Sequence, residues 1–204
     1  AALTVTGDGA ERVLEPLFTY FGFRYVRLSG LSPQENDRLR FQALILSSAG
    51  ECTLSFSCDR PEPGALIAAA RRGQLANFTD IPTDCPQRDE RMGWTGDAQV
   101  FSPTAMYLED TYAFYAKYLY DMAKEQSVLG GKVPYVVPSC GVEDAACVWG
   151  DAACIIPWNL YLFYGDKSIL EDQFVSMKSW VDYITKVDGD NHGWRYIFHF
   201  GDWL

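Results

Sequence analysis

"TDCPQRDERMGWTGDAQ", residues 83–99, sets Asp84, Asp89, Glu90 and Asp97 beside Arg88, Arg91 and Trp94 in one short stretch. Like charges so crowded repel, and a loop with only a structural task gains little from them. A chemical task explains them better. A carboxyl group raised by an apolar neighbour or a second carboxylate can act as a general acid near neutral pH. Glu90 is the candidate, with Met92 and Trp94 to desolvate it and Asp89 or Asp97 to repel its charge. Ionised Asp84 and Asp97 can accept hydrogen bonds from sugar hydroxyls, and Arg88 offers a planar donor fork. Trp94 presents a flat apolar face to a sugar ring. These are the ingredients of half a glycosidase site. On composition alone, a solvated acidic loop with local Arg–Asp pairs is the competing reading.

The whole chain narrows the choice. It has 204 residues, 48% hydrophobic and 22% charged, enough for one large domain or two small ones. A formal charge of −10 excludes nucleic acid, whose phosphates need basic clusters; the pair Arg71-Arg72 is too short to make one. No stretch approaches the roughly 18–20 apolar residues of a membrane span, since "CIIPWNLYLFYG" is cut by Pro157 and Asn159. An acidic chain with 15% aromatic residues suits a neutral polyol or a cation. The N-terminus lacks the basic and apolar regions of a signal peptide and an initiator Met, consistent with processing or excision from something longer. The compartment stays open, with a secreted or periplasmic setting favoured over a cytoplasmic one.

Cofactor motifs are weak, and none is expected. The 6 cysteines form no CxxC, and buried free thiols are favoured over disulfides. "DGDNHG", residues 188–193, approaches a calcium loop through Asp188, Asp190 and Gly193. His192 and His199 stand where oxygen ligands are needed, so the stretch reads as a plain turn. The two histidines form no zinc motif. "NFT", residues 77–79, is a glycosylation sequon too close to the acidic stretch to carry a glycan without obstructing it.

Along the chain the hydrophobic period changes. Residues 1–60 alternate aromatic and β-branched residues in "LEPLFTYFGFRYVRLSG" and "FQALILSSAGECTLSFSC", which predicts strands. "DRPEPG", residues 59–64, punctuates a boundary. Beyond it the period is helical. Ser102-Pro103 reads as a helix start. Leu108, Tyr112, Tyr115, Leu119 and Met122 read as one apolar stripe, and Leu170, Phe174, Met177, Val181 and Ile184 as another. A further helix is predicted over 152–164, kinked or broken at Pro157. Residues 79–101 and 127–148 read as long loops, of the length that builds a site.

"DIPTDCPQRDERMGWTGDAQVF", residues 80–101, closely resembles the signature of the bacterial and fungal α-L-rhamnosidases of glycoside hydrolase family 78. "FGFRYVRLSG" resembles the closing strands of the β-sandwich that precedes the catalytic domain. "WGDAACIIPWNLYLFYGDKSILEDQF" and "FGDWL" resemble later barrel segments. The resemblance implies β-sandwich strands followed by a mainly α region. Residues 1–62 would be the C-terminal part of a β-sandwich domain, and 63–204 the N-terminal part of an (α/α)6 barrel catalytic domain. It implies hydrolysis of terminal α-L-rhamnosides with inversion, and a rhamnosylated glycan or glycoside as the partner. Glu90 would be the general acid. Asp84 and Asp97 would bind sugar hydroxyls, joined by Arg88 and Trp94. Trp149 of "WGDA" and Trp203 of "GDWL" would line the sugar pocket. Asp151 and Asp202 could be further sugar contacts or helix caps.

Inversion also needs a second carboxylate, roughly 6.5–9.5 Å from the first, to activate water. No carboxylate here matches the family's base, which comes from a late barrel segment; Glu143 and Asp144 read better as loop acids. The general base is therefore expected outside this chain. A carbohydrate-binding relative without catalysis and another (α/α)6 glycosidase specificity are the alternatives. The retained Glu90 argues against the first, and the signature string against the second.

Overall fold

The computed structural model describes residues 3–6, 9–189, 193–195 and 198–201. Its elements are α1 (Pro33–Asn36), α2 (Pro61–Asn77), β1 (Phe78–Thr79), β2 (Ile81–Pro82), α3 (Thr95–Leu108), α4 (Tyr112–Val128), α5 (Ala152–Tyr164) and α6 (Ser168–Asp188). Helices α5 and α6 form a hairpin, and α5 also packs against α3 and α4. β1 and β2 pair antiparallel, Thr79 opposite Ile81, and bring the chain back from α2.

The core lies among α3, α4, α5 and α6. Tyr115, Tyr118, Leu119 and Met122 of α4 meet Ala105 of α3, Ile156 and Leu160 of α5 and Trp180 of α6, all nearly or fully buried. Phe78 joins α2 to this core, stacking on Phe114 with centroids 4.1 Å apart. Gly150 lets the Trp180 ring pass, because a Cβ there would lie 2.4 Å from it.

Several expectations change. Helix α3 begins at Thr95, not at Ser102-Pro103, so the loop expected over 79–101 ends early. Pro103 can sit inside it because Ser102 Oγ donates to the Gln99 carbonyl, at 2.8 Å, the acceptor that a proline cannot serve. Leu108 and Tyr112 therefore belong to two helices, separated at Glu109–Thr111. The buried face of α6 is Ile169, Gln173, Ser176, Trp180 and Ile184; of the expected stripe Ile184 is buried and Leu170 packs against the core, while Phe174 and Val181 are exposed. Helix α5 has its predicted bounds, with Pro157 buried within it.

The β reading of residues 1–60 is not observed among the described residues. They hold α1 and one isolated bridge, Cys52 to Glu109. Val13, Phe18, Tyr25 and Ile45 stand exposed. A strand is stable when a neighbour completes its ladder and something covers its apolar face, and neither condition is met there. The six cysteines are unpaired, but Cys52, Cys58 and Cys140 are exposed instead of buried.

Candidate active site

The acidic stretch is fixed from both ends. Asp84 N–H donates to the Met92 carbonyl (3.1 Å) and Met92 N–H returns a bond to Asp84 Oδ1 (3.0 Å), closing a loop around residues 85–91. Downstream, the Gly93 carbonyl accepts from Val137 N–H (2.9 Å) and the Tyr118 hydroxyl (2.8 Å). A Cβ on Gly93 would meet the Val137 carbonyl at 2.3 Å, so the close approach requires glycine. Thr95 Oγ1 and N–H both donate to the Tyr135 carbonyl, 3.0 and 2.9 Å away. The start of α3 is thus clamped to the long loop between α4 and α5.

Within this frame four of the expected residues meet directly. Trp94 Nε1 donates to Glu90 Oε1 at 3.1 Å. Arg88 Nη2 lies 2.9 Å from Glu90 Oε2 and 3.9 Å from Asp84 Oδ2. The Glu90 side chain is 31% exposed and that of Asp84 only 9%, so the acid reaches solvent while its neighbour is enclosed. Both Asp84 oxygens already take a protein donor, Met92 N–H on one and the Cys85 thiol on the other. Each retains a lone pair for a sugar hydroxyl.

Asp97, in the first turn of α3, reaches the surface, yet protein crowds its carboxyl. Burial first, then the charges of Asp84 and Glu90, raise it above the usual carboxylate range. A carboxyl raised on folding opposes the fold once ionised and ceases to do so when protonated in both states. Asp97→Asn should therefore raise the melting temperature at about pH 7, with the gain vanishing near about pH 3. Thermal scans at both values check this; an unchanged or lower midpoint at neutral pH would contradict the repulsion.

Trp149 is buried and belongs to an aromatic cluster. Its ring lies 4.6 Å from Phe200, which lies 4.9 Å from Tyr135 and 6.1 Å from Trp94. Gly96 makes room for it, since a Cβ there would sit 2.8 Å from Trp149 Nε1. That Nε1 is enclosed with no hydrogen-bond acceptor among the described residues. Trp203 and Asp202 lie outside the described residues, as do Asp190 and His192. Asp151 is structural: its carboxylate accepts from Trp180 Nε1 and Val148 N–H, each at 2.8 Å. Asp188 accepts from Gly193 N–H. Glu143 and Asp144 are exposed loop acids. Asn77 Nδ2 donates to the Gly73 carbonyl at 2.7 Å.

Sequence reasoning overlooked Cys85, Tyr135 and Phe200. Cys85 is buried, its Sγ 2.9 Å from Asp84 Oδ2 and 3.6 Å from Glu90 Oε2, with Arg88 Nε 3.0 Å away. Burial and the bond to Asp84 raise its thiol, which stays protonated. Asp84, Cys85 and Glu90 have ligand atoms within 4.8 Å of one another, a set able to hold a cation. The thiol proton and the Arg88 guanidinium already face that space. A cleft of about 360 Å³ opens beside Asp84 and Asp97, walled by Gln74, Asn77, Phe101 and Tyr115.

Carboxylates, a guanidinium and indole faces gather at the start of a helix, donors and acceptors that could bind a polyhydroxylated ligand in a helical protein. The profile of the bacterial alpha-L-rhamnosidase 6 hairpin glycosidase domain matches residues 51–204, and that of the family's concanavalin-like domain matches residues 1–47. The chain belongs to the bacterial α-L-rhamnosidase family. It is 41% identical over 194 residues to an α-L-rhamnosidase of Alteromonas sp. (strain LOR), covering 93% of this chain and 20% of that protein. It is 37% identical to one of Streptomyces avermitilis, covering 98% of this chain and 19% of the relative. The chain spans about a fifth of the length of these relatives. The structure of the Streptomyces avermitilis enzyme complexed with L-rhamnose superimposes with a TM-score of 0.67 at 38% identity, over 70% of this chain and 14% of that one. The native Aspergillus terreus enzyme gives 0.64 at 43% identity, over 67% and 16%.

Proposed function

We propose that this chain supplies the acid half of an inverting α-L-rhamnosidase, which releases terminal α-L-rhamnose from a rhamnosylated glycan or glycoside. The observation that carries this reading is Glu90 held by Trp94 and Arg88 at the solvent edge of the acidic loop. Family membership and the L-rhamnose complex of a relative support the substrate class. Residues 1–47 would complete a β-sandwich within the whole protein, in line with their family profile and alternating sequence.

The chemistry follows from the contacts. Protonated Glu90 gives its proton to the departing glycosidic oxygen as the bond to the anomeric carbon breaks. A second carboxylate removes a proton from the water that attacks the opposite face, so the anomeric configuration inverts. Both Glu90 oxygens accept donors here, so carrying a proton on Oε2 requires Arg88 to turn toward Asp84 Oδ2, 3.9 Å from Nη2. Asp84 and Asp97 accept from sugar hydroxyls. Trp94, joined on the family resemblance by Trp149 and Trp203, would give the apolar wall suited to a sugar whose C6 is a methyl.

The base lies outside the chain on this reading. Residues 1–204 alone should then hydrolyse an aryl α-L-rhamnoside negligibly, while the complete protein turns it over and releases the β-anomer first, as followed by proton NMR. Release of the α-anomer first, or robust turnover by 1–204, would overturn the division of the site.

A further inference from the structure

The buried thiol of Cys85 sits where three polar groups converge, those of Asp84, Arg88 and Glu90, and the reaction just proposed does not use it. Asp84 and Glu90 would repel across this gap without something between them. Arg88 supplies charge, but its guanidinium ends a flexible chain whose side chain is 63% exposed. Such an arginine costs entropy to hold in one orientation. Cys85 supplies the missing restraint. Its Sγ accepts from Arg88 Nε at 3.0 Å and donates its one proton to Asp84 Oδ2 at 2.9 Å. With Nε fixed, Nη2 is left to face Glu90 Oε2 at 2.9 Å or Asp84 Oδ2 at 3.9 Å. A neutral thiol suits this place, because a third negative charge between two carboxylates would be driven off.

We propose that Cys85 is a positioning residue: it pivots Arg88 between Asp84 and Glu90 and thereby sets the orientation of the acid against Trp94. The inference rests on Glu90 as the acid, but the coupling it describes exists in the chain without turnover. Removing the sulfur frees Nε and strips Asp84 Oδ2 of a donor. Arg88 then stays on Asp84 and no longer returns to Glu90 Oε2 when the proton has left it, and the bond from Trp94 Nε1 to Glu90 Oε1 changes.

The indole N–H signals of 1–204 in a nitrogen–proton NMR spectrum read this directly. Trp180 Nε1, bonded to Asp151 Oδ1 at 2.8 Å, serves as the internal reference. Cys85→Ala should displace the Trp94 signal and leave that of Trp180 in place. Cys85→Ser, which keeps a donor and an acceptor, should restore the Trp94 position. In the complete protein Cys85→Ala should lower kcat roughly tenfold or more with KM nearly unchanged, and the serine variant should recover most of it. An unmoved Trp94 signal overturns the proposal. So does displacement of both indoles, which would make the thiol a packing group only. If the Trp94 signal moves as expected but Glu90→Gln leaves turnover intact, the positioning stands and the assignment of the acid fails instead.

Discussion

Glu90→Gln should lower kcat for an alkyl α-L-rhamnoside by about 10²- to 10⁴-fold in the complete protein, with KM changed far less. The substitution keeps size and shape while removing the transferable proton. It also imposes a donor conflict, because Glu90 accepts from Trp94 Nε1 on one oxygen and faces Arg88 Nη2 with the other. Whichever way the amide turns, its NH2 meets one of these donors. A rate loss could then reflect misplacement instead of a missing proton. The leaving group separates the two. An aryl group with a stable phenolate needs little protonation as it departs, whereas an alkyl alcohol needs nearly a full proton. If Glu90 is the acid, the loss should be large for alkyl rhamnosides and shrink toward about tenfold or less for activated aryl ones. Equal losses across the series would show that Glu90 orients the sugar, and the acid would have to be sought elsewhere.

The site was more legible in the sequence than the fold around it. Asp84, Arg88, Glu90 and Trp94 lie within one turn-rich stretch, so loop closure alone brings them near one another, and the structure joins all four. Trp149 was legible only by resemblance. Its place beside Gly96 depends on how α5 packs against α3, which no local pattern encodes. Cys85 escaped notice because a single cysteine next to a proline carries no periodic or charge signal; its role appears only when three partners surround it. The start of α3 was misplaced for a specific reason. Ser102-Pro103 mimics a cap, and only the Ser102 bond to the Gln99 carbonyl reveals an uninterrupted helix. On α6 the apolar residues alone gave a stripe of which Ile184 and Leu170 meet the core and Phe174 and Val181 do not. Gln173 and Ser176 are buried polar residues there, and Phe174 is left outside. Alternation in the first sixty residues describes which faces a strand would present, but a sheet also needs partners, which lie outside what a local pattern specifies.

Arg71→Ala should cost more stability than Glu109→Gln, although the two residues form one ion pair. Arg71 Nε of α2 lies 2.9 Å from Glu109 Oε1 at the end of α3; the arginine side chain is 41% exposed and the glutamate 0%. The pair ties α2 to the helical core, since α2 otherwise buries little beyond Gln74. Deleting the arginine strands a carboxylate in the interior with one weak donor, Gln74 Nε2 at 3.4 Å. Breaking a fully buried pair this way costs about 3–5 kcal/mol, and partial access of water to the arginine side lowers the figure to about 2–3 kcal/mol. Glu109→Gln instead removes the charge that needs compensation, and Arg71 can turn into solvent. The remaining loss is about that of one ordinary hydrogen bond, roughly 1 kcal/mol. In melting temperature these correspond to about 5–10 °C and about 2–4 °C. The order of the two midpoints is the decisive quantity, because it reverses if the attraction between the charges matters more than the burial of one of them. Were Glu109→Gln the more damaging change, the pair would be a net source of stability, and the interior around Glu109 would have to be wetter than its complete enclosure implies.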